Sequence, residues 1–296
     1  MSGVARVLGP PMTHQPDHSD HPVPVGDVVV RRPGKEELDP RRSRTVRRRY
    51  EVALGIAVPV LLLVGWEVAS KTGLLDTRFF PAPTDLWSTA VHLFGSGDIE
   101  RYVWESFRRV LEGFFLGSAV GLLAGIGLGS SRLVRAALEP VVYAIWTIPK
   151  LALLPLLLLF FGLGEMPIIV LIAVECMFLV MIPTTAAVVS VPDSYREAAR
   201  SFGASSWQQL RTVTIPAALP QIMVALRLSA GASVLVMVAA EYVDAKSGIG
   251  YFIFNSWQLF ATDQMYVGII TVAIMGTAWT LFVAWVGRML TRWQRA

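Results

Sequence analysis

"EGFFLGSAVGLLAGIGLG" (Glu112–Gly129) carries one charge at its edge and none beyond it, and a glycine returns every fourth residue: Gly113, Gly117, Gly121, Gly125 and Gly129. A helix needs roughly 20 apolar residues to cross the hydrocarbon of a bilayer. Lipid offers backbone N–H and C=O groups no partners, so an apolar run of this length is satisfied as a helix. On that helix the glycines form one stripe almost without side chain, against which a second helix can approach closely. The stretch therefore predicts a packed transmembrane bundle, with the five glycines as a helix-packing seam.

The rest of the chain agrees with that reading. Of 296 residues, 54% are hydrophobic and only 16% charged, a composition outside the range of ordinary soluble domains. Six apolar runs are long enough to cross: about 52–70, 107–129, 141–161, 167–189, 217–240 and 265–287. The expected fold is all-α, a polytopic bundle of about six spans, with both termini on the same side. Lys and Arg concentrate in the tail up to Arg49, at Arg132 and Arg135, at Arg196, Arg200 and Arg211, and at Arg288, Arg292 and Arg295. The opposite loops hold Lys71, Arg78, Arg101 and Lys246 beside Asp76, Asp85, Asp98, Glu100, Glu105, Asp244 and Asp263. Positive charge is retained in the cytoplasm, so the first set, including both termini, is expected to be cytoplasmic. Arg108 and Arg109, at the outer edge of the second span, weaken this asymmetry without reversing it. The net charge of +4 is explained by topology, and nucleic acid is not an expected partner.

Residues 1–50 are rich in Pro, His, Asp and Arg without apolar periodicity, and read as a disordered basic cytoplasmic tail preceding a membrane domain over 51–296. His14, His18 and His21 lie close enough in sequence to hold a metal, but nothing in the tail would order them, and no metal site is expected. The basic run "RRSRTVRRRY" beside the first span suits anionic lipid. The single cysteine, Cys176, excludes a disulfide framework within one chain. Pro81 and Pro83 followed by Leu86, Ala90 and Leu93 predict a short helix on the outer surface.

Five ionisable residues fall within or near apolar runs: Glu67, Glu112, Lys150, Glu175 and Arg227. Charge inside a membrane is costly and faces the bundle interior, a partner or water. Glu67 and Glu112 lie near span ends. Lys150, Glu175 and Arg227 lie deeper and form either internal ion pairs or the lining of a translocation pathway.

Between the fourth and fifth runs stands a polar island, "YREAARSFGASSWQQLRTVTIP" (Tyr195–Pro216). Ser194 with Glu197 has the spacing of a capping box, so a helix should begin there, with Tyr195, Ala198, Ala199 and Phe202 on one face. Gly203 should end it. Ser206 with Gln209 repeats the box for a second short helix, which Pro216 is expected to stop.

The residues of this island resemble the EAA loop of ABC importer membrane subunits: EAA, three residues, Gly, nine residues, then an apolar residue, any residue, an apolar residue and Pro. Glu197, Ala198, Ala199, Gly203, Val213, Ile215 and Pro216 occupy those positions. "FFPAP" from 79, "SFRRVLEGFFLG" from 106, "IPKLALLPLLLLFFGLGE" from 148 and "AEYVDAKSGIGYFI" from 240 resemble the branch that handles nitrate, taurine and alkanesulfonates. The resemblance implies a type I importer permease in the bacterial inner membrane, with the loop at 192–216 coupling to ATPases through Tyr195, Glu197, Ala198, Ala199, Gly203 and Pro216. It also implies two ATPase subunits, a second permease copy and an extracytoplasmic binding protein as partners, with ATP and Mg held by the ATPases and no cofactor by this chain. No phosphate-loop motif G-x-x-x-x-G-K-[ST] and no catalytic constellation occurs, so the chain is expected not to be an enzyme. Two rivals remain on sequence alone: an ion-coupled secondary carrier using Glu175, Lys150 and Arg227, and a membrane scaffold that moves no solute.

Overall fold

The computed structural model describes residues 40–295, with side chains described over 50–293 apart from Asp244. The expectations for residues 1–39, including the three tail histidines, lie outside the described residues. The chain divides into two compact units, residues 1–60 and 61–296. In the first, residues 40–60 are helical, the opening part of α1 (Pro40–Lys71), and residues 50–60 are exposed. Helix α1 includes the basic run from Arg41 to Arg49.

The second unit holds the end of α1, then α2 (Pro83–Ser96), α3 (Asp98–Ser130), α4 (Arg132–Trp146), a 3-10 turn (Lys150–Leu153), α5 (Leu154–Phe161) and α6 (Glu165–Val189). It continues with α7 (Asp193–Ser201), α8 (Ser206–Gln209), a π-helical segment (Leu210–Thr214), α9 (Ile215–Asp244), α10 (Ile249–Gln258) and α11 (Thr262–Leu290). No strand occurs among the described residues.

The centre is the α3–α6 seam. A Cβ added at Gly117 would lie 2.1 Å from the carbonyl oxygen of Ala173, and one at Gly121 would lie 2.4 Å from that of Met177. Gly113 meets the Ile169 carbonyl oxygen at 3.0 Å, Gly125 that of Met181 at 2.7 Å and Gly129 that of Thr185 at 3.2 Å, so each step of four on one helix matches a step of four on the other. Only glycine allows backbones this close, and the return is dispersion contact along the whole seam. Thr185 adds a hydrogen bond from its Oγ1 to the Gly125 carbonyl at 3.2 Å.

Contacts that rise together along both helices mean that α3 and α6 run parallel. The chain between them must therefore return across the bundle, and only α4 to α5 is available. That crossing is broken: its two halves meet at 84° around Thr147–Pro149. The uninterrupted run expected over 141–161 is corrected accordingly. Pro149, at ψ 113°, leaves helical geometry, and the residue before a proline is biased toward extended backbone. Among the described residues, five helices are long and apolar enough to cross a membrane, and the bent pair brings the number to six if it counts as one span.

Helix α9 packs on α6 and also touches α3. The main core joins α3, α6, α9, α10 and α11 through Phe114, Leu171, Cys176, Met237, Ile249 and Trp279. Helix α2 forms where expected, opening on Pro83 in its first turn and burying Leu86. Glu67 of α1 caps it, accepting hydrogen bonds from Thr84 N at 3.1 Å and Thr84 Oγ1 at 2.8 Å.

Candidate functional site

The island is a helix–turn–helix. Helix α7 starts at Asp193 with Pro192 as its N-cap and no side-chain cap, so the expected Ser194–Glu197 box does not form. Pro192 presets the entering backbone instead, and Asp193 supplies negative charge to the first turn. Gly203, at φ 78°, closes the helix: its N–H donates to the Arg200 carbonyl at 2.8 Å and that of Ala204 to the Ala199 carbonyl at 3.1 Å. This is the left-handed closure in which glycine meets no Cβ penalty. The second capping box falls one residue earlier than the spacing predicted. Ser205 Oγ accepts from Gln208 N at 3.3 Å, and Gln208 Oε1 accepts from Ser205 N at 2.8 Å. Gln209 is buried and its amide instead donates to the Ala204 carbonyl.

Pro216 does not stop the second helix. Helix α8 passes through the π-helical segment directly into α9, and Pro216 sits in the first turn of α9. The wider π register, in which Ile215 N donates to the Leu210 carbonyl, accommodates a ring that would clash with an i−4 carbonyl in α geometry. One continuous helical path consequently runs from Ser206 to Val243.

Arg196 ties the island down, donating to the Val188 carbonyl at the end of α6 at 2.7 Å. The outward face remains uncovered. Phe202 is 92% exposed, and Tyr195, Trp207, Glu197 and Ala198 are exposed too, while Ala199 is half-buried. Tyr195, Phe202 and Trp207 thus leave three aromatic side chains of the island exposed.

The deeper charges are placed on three neighbouring elements. Lys150 stands at the α4–α5 break, hydrogen-bonded to the Trp146 carbonyl, its ammonium 5.4 Å from the centre of the Phe178 ring. Glu175 is half-buried on α6, and Arg227 is exposed midway along α9. The 3-10 turn that begins at Lys150 touches both α6 and α9. No ion pair joins the three residues to one another, so of the two forms open on sequence, the internal pair is corrected. An arginine exposed at mid-span is expensive against lipid, so this face calls for water or a protein partner.

The largest polar constellation was not singled out by sequence reasoning. At the end of the second unit opposite the island, Arg109 is buried with a side-chain exposure of 3%, against Glu241 at 0%. Arg109 Nη1 donates to Glu241 Oε1 at 2.6 Å and to the Ser247 carbonyl at 2.9 Å. Its Nη2 donates to Glu165 Oε1 and to Ser247 Oγ, both at 3.1 Å. Glu241 also accepts from Ser106 Oγ at 2.8 Å and from Gly250 N at 2.8 Å, and Ile249 N donates to Ser106 Oγ. Gly248, at φ 110°, has room for no side chain: a Cβ would lie 2.5 Å from Glu241 Oε1 and 2.6 Å from Arg109 Nη1. Removing one member of such a buried pair costs about 3–5 kcal/mol, because it strands the other charge. A signal was present in the register. Arg109 lies one four-residue step before Gly113 and so continues the seam, whereas Arg108 lies off it and pairs with the half-exposed Glu165.

With this geometry in hand, the comparisons decide the family. Residues 117–296 match the family described as "Binding-protein-dependent transport system inner membrane component". The chain belongs to this family. It is the membrane-spanning permease subunit of an ABC importer, in the branch that includes sulfonate, taurine and nitrate permeases. It is 33% identical over 262 residues to the putative aliphatic sulfonates transport permease protein SsuC of Bacillus subtilis (strain 168), covering 88% of this chain and 95% of that one. It is 32% identical over 266 residues to the taurine transport system permease protein TauC of Escherichia coli (strain K12), covering 87% and 96%. Among solved structures, the MetNI methionine ABC transporter in an inward-facing conformation aligns with a TM-score of 0.59 at 20% identity, over 66% of this chain and 97% of that one. That likeness shows the type I importer fold. A multi-pass inner-membrane subunit of such an importer replaces the ion-coupled carrier and the inert scaffold.

Proposed function

We propose that the permease passes a small organic anion of the sulfonate or taurine type, with nitrate-like anions and vitamin precursors as the next choices, and that the island couples it to separate cytoplasmic ATPase subunits. The observation that carries this reading is the continuous helical path from the island to the far end of α9. A capped helix–turn–helix with an uncovered aromatic face seats in a partner, and its displacement passes into a transmembrane helix without a flexible joint. Tyr195, Glu197, Ala198, Ala199 and Gly203 form the seat, and Pro216 fixes its junction with α9.

In this reading the island and both termini face the cytoplasm, two permease copies meet around the pathway, and two ATPases hold ATP and Mg. A binding protein delivers solute at the opposite end. The exposure of Arg227 at mid-span and the half-burial of Glu175 support a pathway or second copy beside α6 and α9, with Lys150 at its edge.

The test is the complete importer in proteoliposomes. Glu197→Trp and Gly203→Val are expected to insert and to melt within a few degrees of the unsubstituted protein, yet to lose ATPase stimulation by the binding protein. A valine at φ 78° costs about 1–2 kcal/mol locally, enough to reshape the turn without unfolding the bundle. Full stimulation in both variants would refute the coupling role.

A further inference from the structure

The helical path that begins at the island ends in the buried charge cluster. Glu241 lies three residues before the end of α9, and its carboxylate is held by Arg109 and Ser106 of α3 and by the Gly250 amide at the start of α10. Arg109 in turn holds Glu165 at the start of α6 and both oxygens of Ser247 in the α9–α10 corner. Four elements meet on two side chains. The glycines at 248 and 250 let the corner fold directly onto the Glu241 carboxylate.

A lever moves a load only if its far end is attached to one. We propose that the Arg109–Glu241 pair is that attachment: it locks the end of α9 and the α10 corner to the α3–α6 seam, so that displacement of the island reappears as displacement of the opposite end. Arg109, Glu241 and Ser106 are positioning residues for transport, acting through α9 and α10. This rests on the coupling role proposed above. A hydrophobic set of similar volume would hold these helices equally well. What the charged set adds is direction: a bidentate guanidinium fixes the corner's orientation as well as its distance.

The complete importer carries the test, with Cys176→Ser to remove the native thiol. Spin labels are placed either at Trp207→Cys on the island or at Lys246→Cys on the α9–α10 corner, and label distances between the two permease copies are measured with and without ATP under vanadate. In the otherwise unsubstituted protein both sites are expected to shift on nucleotide binding. With Glu241→Gln, the island shift is expected to persist while the corner shift is lost. ATPase stimulation by the binding protein should fall about tenfold, the usual scale of a lost coupling between sites. Ser106→Ala, which deletes only the hydroxyl between Glu241 and Ile249 N, should give a partial loss and carries the test if Glu241→Gln fails to accumulate. Glu241→Asp should recover part of the corner shift. A merely structural role would instead reduce both shifts together with the melting temperature. Undiminished corner shifts in Glu241→Gln or Ser106→Ala would overturn the proposal. An island that does not move in the unsubstituted protein would remove the coupling reading, and this one with it.

Discussion

Replacing Gly117 with alanine adds one methyl group to the tightest point of the molecule. Its Cβ would lie 2.1 Å from the Ala173 carbonyl oxygen and 2.8 Å from the carbon and Cα of the same residue. Carbon atoms in good contact sit about 3.5–4 Å apart, so the two backbones must separate by more than an ångström. The obstacle is a helical backbone carbonyl, which cannot rotate aside as a side chain would. Separation there also loosens Gly113 against Ile172 and Gly121 against Met177. Overpacking a core costs typically about 1–3 kcal/mol, and this site belongs at the upper end. At about 2–4 °C per kcal/mol for a domain of this size, the melting temperature should fall by about 6–12 °C. Gly127 of the same helix has nothing within 4 Å of an added Cβ, so Gly127→Ala is neutral or mildly stabilising through helix propensity. Thermal unfolding of both variants in lipid nanodiscs is the assay. Gly121→Ala, at 2.4 Å from a carbonyl oxygen, should fall close behind Gly117→Ala. Gly129→Ala, whose nearest obstacle is the Val188 side chain, should be milder. Equal melting of the Gly117 and Gly127 variants would refute the seam as the stabilising contact.

Deleting Thr212 from the π-helical segment should close it to ordinary helix and rotate the island by about 100° relative to α9, with a shift of about 1.5 Å. Insertion is expected to survive, with a lowered melting temperature because Pro216 then sits in α geometry, while ATPase stimulation is lost, and a one-residue alanine insertion at the same place should restore it. Asp76, in the turn before α2, has its carboxyl held below the usual aspartate range by hydrogen bonds from the Arg78 side chain and amide. Its stabilisation is therefore present above the ordinary aspartate pKa and lost only as pH falls through the lower folded value. The melting difference between the unsubstituted protein and Asp76→Asn should be flat near neutrality and close only in acid.

Spans and seam were legible because both rest on local periodicity: apolar length for the crossings, and a step of four glycines for the face of α3. Three features were not. The bend at Thr147–Pro149 hides inside a run that is apolar on both sides, so length reads through it. The first capping box does not form and the second lies one residue earlier, because Ser194, Ser205 and Ser206 all satisfy the spacing and backbone conformation decides between them. Ser205, at φ −66° and ψ 162°, has the extended geometry an N-cap needs. The charge cluster joins residues as far apart as Arg109 and Glu241, and a count of loop charges treats Arg109 as exposed. Its phase on the glycine seam marked it as buried, and a buried arginine requires an acidic partner.

The same seam limits how the protein can move. Sliding α3 along α6 by one residue would bring a bulky side chain such as Leu116 or Leu122 to bear where a glycine lies against a carbonyl. The pair is therefore a rigid element. Change of shape is confined to positions where helical hydrogen bonding is already interrupted: the 84° break before Lys150, the left-handed turn at Gly203 and the corner at Ala245–Gly248. Two of these flank the α3–α6 pair at opposite ends of α9, and the third lies beside the mid-depth charges at Lys150, Glu175 and Arg227.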